Sequence, residues 1–302
     1  MPPNHRLPPQ ASTNIFTTLI LPSELPPPQT PLPTPTAILL TGQTGSGKST
    51  LSPPLLSALS RGCGSATHLI ADTFKTYHPE YARLAAESSA RASAATGPDA
   101  RRWLAMAVGE VVRRRAHLVV ESACRHFEDW EEMVRVLRGG GYRLVVVLLA
   151  VPAGLSRLGI AVRFYLPGPD SSVLDARLTP AAVHDESYGG VAQAAAFLDA
   201  NPGLADRILL VRRGGLVASV GEGGLLAALT GEREGLLTGE EKSRARRDLE
   251  RLAGCEGAEV LCETLKELLR PFLDGGERGG AGLMPLVVVD DEAGDGDNVL
   301  RL

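Results

Sequence analysis

From Ala37 onward, short apolar runs alternate with longer stretches in which apolar residues recur at helical spacing. The runs lie near residues 37–41, 67–71, 117–120, 143–150 and 207–211, and they carry few polar interruptions. That is the pattern of strands buried on both faces, as in a parallel sheet, rather than the in-and-out alternation of a half-solvated one. Helical candidates fill the intervals, among them Ser49 to Leu59 and residues 101–112. Strand and helix in turn predict an α/β fold with a mostly parallel central sheet flanked by helices.

The pattern fades at both ends. Residues 1–36 hold eleven of the 22 prolines, which removes amide donors and favours extended backbone, so a proline-rich, largely disordered arm is expected, with NIFTTLILP able to dock locally. Residues 37–220 form the predicted domain. A glycine-rich, acidic helical extension follows over 221–290, with charged faces expected to be solvated, and 291–302 reads as an acidic disordered tail.

Composition narrows the function classes only modestly. A chain of 302 residues with 44% hydrophobic content can build a sizeable core. A net charge of -4 supplies no excess of Lys and Arg to neutralise phosphate backbones, which argues against nucleic acid and anionic membranes as partners. The longest apolar run, Leu144 to Pro152, is too short to span a bilayer. Cys63, Cys124, Cys255 and Cys262 show no metal-type pairing, and reduced thiols in a cytoplasmic protein are the expectation.

Chemistry enters at AILLTGQTGSGKSTL, Ala37 to Leu51, where a strand runs into a glycine loop and then a helix. Glycines let successive amides curl inward around an anion, and the helix adds its unpaired N–H groups and positive dipole end. Gly42, Gln43, Thr44, Gly45, Ser46, Gly47, Lys48, Ser49 and Thr50 are therefore expected to cradle the phosphates of ATP or GTP. Lys48 can reach the β and γ phosphates, and Ser49 is placed to ligate Mg²⁺. This spacing in this context makes the fold a three-layer P-loop NTPase type.

Other candidates stand at the ends of the following strands, where ligands gather in open α/β sheets. Asp72 is the first choice for a catalytic carboxylate, with helix capping as its alternative. His78 reads as a packed or capping histidine. Glu121, at a buried strand tip, needs a partner, and either an acceptor substrate or an ion pair with Arg125 would supply one. Arg157, Arg163 and Arg177 surround a Gly-, Pro- and Ser-rich segment that reads as a lid able to bring guanidinium groups over a transferring phosphoryl.

The order TAILLTGQTGSGKST, ADTFKTYHPEY, VVESACR, GGGYRLVVVLLAVPAGLSRLGIAVRFY and ARLTPAAVHDESY, over roughly Thr36 to Val211, resembles successive blocks of the zeta toxin family of P-loop kinases. The resemblance implies an ATP- and Mg²⁺-dependent phosphotransferase acting on the 3′-hydroxyl of a UDP-N-acetyl sugar, typically UDP-N-acetylglucosamine. By matched position, Asp72 would be the base, Lys48 and Ser49 would hold phosphate and magnesium, Glu121 and the neighbouring Arg125 would bind the nucleotide sugar, and Arg163 and Arg177 would contact phosphates. Bacterial members are toxins held by a small helical antitoxin, and no residue here indicates such an inhibitor. The sequence departs from the family at Ile70, where members often carry an Asp, at Ala123, where Thr or Ser is common, and near Ala105, where a carboxylate is expected. Those losses leave two alternatives: a P-loop kinase for another small hydroxyl compound, or an ATP-binding interaction protein with weakened turnover.

Overall fold

The computed structural model describes residues 5–25, 27, 30–61, 66–168, 178–218, 220–279, 283–289 and 299–301. The chain opens with α1 (Pro9–Ile15), a π-helical turn (Phe16–Ile20) and α2 (Leu21–Glu24). The arm expected to be largely disordered is thus helical over 9–24. Pro9 stands in the first turn, where a missing amide costs nothing. Phe16, Ile20 and Leu25 are buried, and the Trp103 indole N–H donates to the Ser12 carbonyl at 2.9 Å.

The body follows in the predicted alternation: β1 (Thr36–Thr41), α3 (Lys48–Ser60), β2 (Thr67–Ile70), α4 (Ala71–Phe74), α5 (Tyr81–Glu87), α6 (Ser89–Arg114), β3 (Leu118–Ser122), α7 (Phe127–Gly139), β4 (Arg143–Leu149), α8 (Ala153–Tyr165), α9 (Ala181–Ala200) and β5 (Arg207–Val211). Next come β6 (Leu216–Ala218), α10 (Gly224–Glu234), α11 (Gly239–Ala253), α12 (Glu259–Asp274) and β7 (Leu283–Pro285). The sheet order is β2-β3-β1-β4-β5-β6-β7, parallel from β2 to β5 and antiparallel through β6 and β7. Separately, β8 (Val287–Val289) pairs in parallel with β9 (Val299–Arg301). The end of the expected acidic tail is therefore a strand, and residues 291–298 lie outside the described part.

Period-two alternation along β1 divides the core. Ala37 and Leu39 face a cluster with Trp103, Trp130, Val191, Leu225 and the arm, whereas Ile38 and Leu40 face Leu55, Leu155, Leu158, Leu249 and Leu265. Helices α6, α7, α9 and α10 thus cover one face, and α3, α8, α11 and α12 the other. The region after Val220, read as an extension with solvated faces, contributes an inner face to each layer. Helix α6 begins at Ser89 rather than near residue 101, because Ser88 caps it by accepting from the Arg91 N–H and because Ala92, Thr96 and Ala100 extend its buried face. Since β1 is central, with β3 on one side and β4 on the other, the chain leaves it in opposite directions, and a crevice opens at its carboxyl end.

Candidate active site

The glycine loop fills that crevice. Gly45 has φ +79°, and a Cβ there would lie 2.1 Å from the Ser156 carbonyl oxygen, so only glycine lets the loop pass α8 this closely. Lys48 opens α3 and donates from Nζ to the carbonyls of Gly42 at 2.7 Å and Gln43 at 3.3 Å. Burial pushes its pKa down to about 8, against the upward pull of the Glu121 and Asp72 carboxylates and with a further downward push from Arg163. Three of the candidates, Glu121, Asp72 and Arg163, are therefore within electrostatic reach of Lys48. The buried Ser46 hydroxyl has no hydrogen-bond partner among the described residues, which fits a cradle with room for an anionic ligand.

Asp72 lies in the first turn of α4, just past β2. The N-cap is Ile70 and no side chain caps the helix, so the capping alternative is not what the fold uses. Its carboxylate instead pairs with Lys75 Nζ at 2.6 Å. Asp72, Glu121, Arg125 and Thr44 of the glycine loop all line one cleft of about 610 Å³ between α6 and α7.

Glu121 sits near the carboxyl end of β3, opposite Leu40 of β1 and Ile70 of β2. The Ser49 hydroxyl donates to its Oε2 at 3.4 Å, and His68 Nε2 lies 3.2 Å from Oε1. Burial pushes the carboxyl up, but hydrogen bonds from His68 and Ser52 and the Lys48 charge outweigh it, leaving the pKa below the ordinary value. The ion pair with Arg125 considered from sequence does not form, because Arg125 pairs with Glu186 of α9. Sequence spacing offered Arg125 as a local partner, whereas the parallel register and the loop brought His68 and Ser49 instead. Ser49 and Glu121 are adjacent hard oxygen donors, a set that suits Mg²⁺, which binds one or two protein groups together with substrate phosphates and water. Among the described residues no group of three or more His, Cys, Asp or Glu could hold a metal by itself.

Of the three arginines, Arg163 in the last turn of α8 feels the Lys48 charge, Arg157 pairs with Asp185 at 2.6 Å, and Arg177 lies outside the described residues with the rest of 169–177. His78 is packed, accepting the Glu80 N–H on Nδ1 at 3.2 Å. Sequence reasoning missed His68 and Lys75, the partners of the two carboxylates. It also missed a buried network around Gln43, whose Nε2 donates to the Val151 carbonyl at 2.6 Å and to Ser156 Oγ at 3.2 Å. No helix among the described residues is long and apolar enough to cross a membrane.

A central strand, an anion-cradling loop and carboxylates on the neighbouring strand tips define a P-loop kinase-like protein. The sequence profile of the Zeta toxin family matches residues 25–220, and the chain belongs to that family. It is 28% identical over 154 residues to toxin PezT of Streptococcus pneumoniae, a stretch that covers 50% of this chain and 58% of that protein. It is 30% identical over 152 residues to toxin zeta of Streptococcus agalactiae, covering 50% and 51% respectively. The chain thus spans about half the length of the curated relatives it matches. The solved PezAT chromosomal toxin–antitoxin system of Streptococcus pneumoniae shares the fold, with a TM-score of 0.65 and 19% identity over 89% of this chain and 99% of that one.

Proposed function

We propose that the protein transfers the γ-phosphate of ATP to a hydroxyl of a small acceptor held in the cleft beside Asp72. The observation that carries this reading is that Asp72 and Glu121 share one cleft with Thr44 of the glycine loop while both charges reach Lys48. The loop amides and Lys48 would hold the β and γ phosphates, and Ser49 with Glu121 would hold Mg²⁺, which supplies charge neutralisation on the phosphate oxygens. The acceptor oxygen bonds to the γ phosphorus as the bond to the bridging oxygen breaks, and the hydroxyl proton passes to Asp72. Because the transition state is loose, Asp72 mainly orients the hydroxyl, and Lys75 at 2.6 Å fixes its position. Arg163, and by its match to the family pattern Arg177, would offset charge on the transferring group.

The acceptor we infer is a UDP-N-acetyl sugar, with the 3′-hydroxyl of UDP-N-acetylglucosamine first among them, on the strength of family membership and the matched Asp72 and Glu121. A second reading has its own support. Leu104, Ala105, Val108, Met133, Val136 and Leu178 line the cleft, and its cations Lys75, Arg101 and Arg125 are paired with Asp72, Asp129 and Glu186. Such walls suit a hydroxyl compound with a more apolar body.

Incubation with Mg-ATP and a panel of UDP-sugars and simpler alcohols, read by mass spectrometry, is expected to show an acceptor that gains one phosphate. Asp72→Asn should lower the rate by about 10²–10⁴-fold, and Lys48→Ala should abolish product. Product from simpler alcohols alone would shift the assignment to the second reading. ATP binding without transfer to any acceptor would leave a nucleotide-binding protein in place of the enzyme.

A further inference from the structure

Helix α10 lies beyond residue 220, where the family match ends, yet it brings a buried guanidinium to the glycine loop. Arg233 is only 4% exposed. Its Nη2 donates to Gln43 Oε1 at 3.1 Å, its Nη1 donates to the Tyr188 carbonyl at 3.0 Å, and its guanidinium carbon lies 3.8 Å from the centre of the Tyr188 ring. No carboxylate pairs with it among the described residues, whereas Arg212 nearby pairs with both Glu232 and Glu241. A buried cation without a counterion is costly, and an apolar side chain would anchor α10 more cheaply. Packing of the helix therefore does not account for this residue.

Its effect on Gln43 does. Gln43 is fully buried, and an amide has one acceptor end and one donor end. A guanidinium can only donate, so Arg233 selects the oxygen and turns the nitrogen toward its two acceptors, the Val151 carbonyl and Ser156 Oγ. The Gln43 carbonyl accepts from Lys48 Nζ at 3.3 Å and from the Ser46 N–H at 3.1 Å, and the next residue, Thr44, donates its N–H to Ser187 Oγ at 3.3 Å. The side chain that α10 fixes thus belongs to the residue that shapes the first half of the loop.

We propose that Arg233 is a positioning residue for the nucleotide: through Gln43 it holds the glycine loop in its phosphate-cradling shape and makes nucleotide affinity depend on the C-terminal helix α10. The proposal rests on the loop being an ATP site. It is tested in the 302-residue chain by ATP titration with a fluorescent analogue and by steady-state kinetics with whichever acceptor the panel yields. Arg233→Met is expected to raise the Kd and KM for ATP about tenfold, the scale of one hydrogen bond to a charged group, with kcat at saturating ATP within about twofold. Adding Arg233→Met to Gln43→Ala should weaken binding no further, because Arg233 acts on the loop only through Gln43. Arg233→Lys, which can still donate to Oε1, should recover part of the loss.

A lowered Tm with unchanged ATP affinity in Arg233→Met would overturn the proposal, as would losses that simply add in the double variant. If Arg233→Met does not fold, Gln43→Ala alone decides, and unchanged affinity there overturns the proposal. Wild-type protein that binds no ATP would refute the nucleotide site itself and the proposal with it. Wild-type protein that binds ATP but transfers nothing would refute only the enzyme reading, and the affinity comparison would still decide the role of Arg233.

Discussion

Lys48 is an ammonium with its pKa drawn down to about 8 by burial, so a small rise in pH removes the charge that grips the nucleotide. Polyphosphate beside it favours the charged form, so the pKa of the complex lies above that of the free protein, and binding above pH 8 takes up a proton. ATP affinity is therefore expected to be level below about pH 7.5 and to weaken toward tenfold per unit above about pH 8. Lys48→Met should bind more weakly with a flatter profile. Titrations between about pH 6.5 and 9.5 check this, and a level wild-type curve would rule it out. At this scale the loop, Asp72 and Glu121 were legible because strand tips and glycine spacing are local patterns. The partners were not. His68 reaches Glu121 across 53 positions and Arg233 reaches Gln43 across 190, and no local spacing encodes either contact.

The strands were the most legible elements, because runs such as Ala37 to Leu40 and Leu144 to Leu149 are buried throughout and leave no competing polar face. The N-terminal arm was less so. Proline count argued for disorder, but proline in a first turn is compatible with a helix, and Phe16, Ile20 and Leu25 supply an apolar face that meets Leu69, Phe74 and Trp103. The arm joins the first layer and is tied to α6 by hydrogen bonds from the Trp103 indole to the Ser12 carbonyl and from the Leu7 N–H to Asp99. Ile20 is fully buried, so Ile20→Ala is expected to lower unfolding free energy by about 2–5 kcal/mol in urea titrations, without changing ATP affinity. A loss below about 0.5 kcal/mol would mean that the arm does not stay docked in solution.

For the whole molecule, the extent of the family match and the extent of the folding unit differ. The matched stretch, 25–220, contains β1 to β6 but omits α10, α11, α12 and β7. In the full chain Leu249, Leu252, Leu265 and Leu269 pack with Leu155 and Leu158 of α8 on the second face, and Leu225 and Leu229 of α10 close the first. Each such residue contributes about 1.5–3 kcal/mol of burial, so losing all six removes as much as the roughly 5–15 kcal/mol that stabilises a typical domain. The cut also strips Glu232 and Glu241 from the fully buried Arg212, leaving its charge unpaired. A fragment ending at residue 220 is therefore expected to be insoluble or to unfold without a cooperative transition, and to bind ATP far more weakly than the full chain. Circular dichroism melts and ATP titration of the two side by side check this. A fragment that melts cooperatively and binds ATP as tightly as the full chain would show that the C-terminal helices are accessories, and that the glycine loop keeps its shape without Arg233.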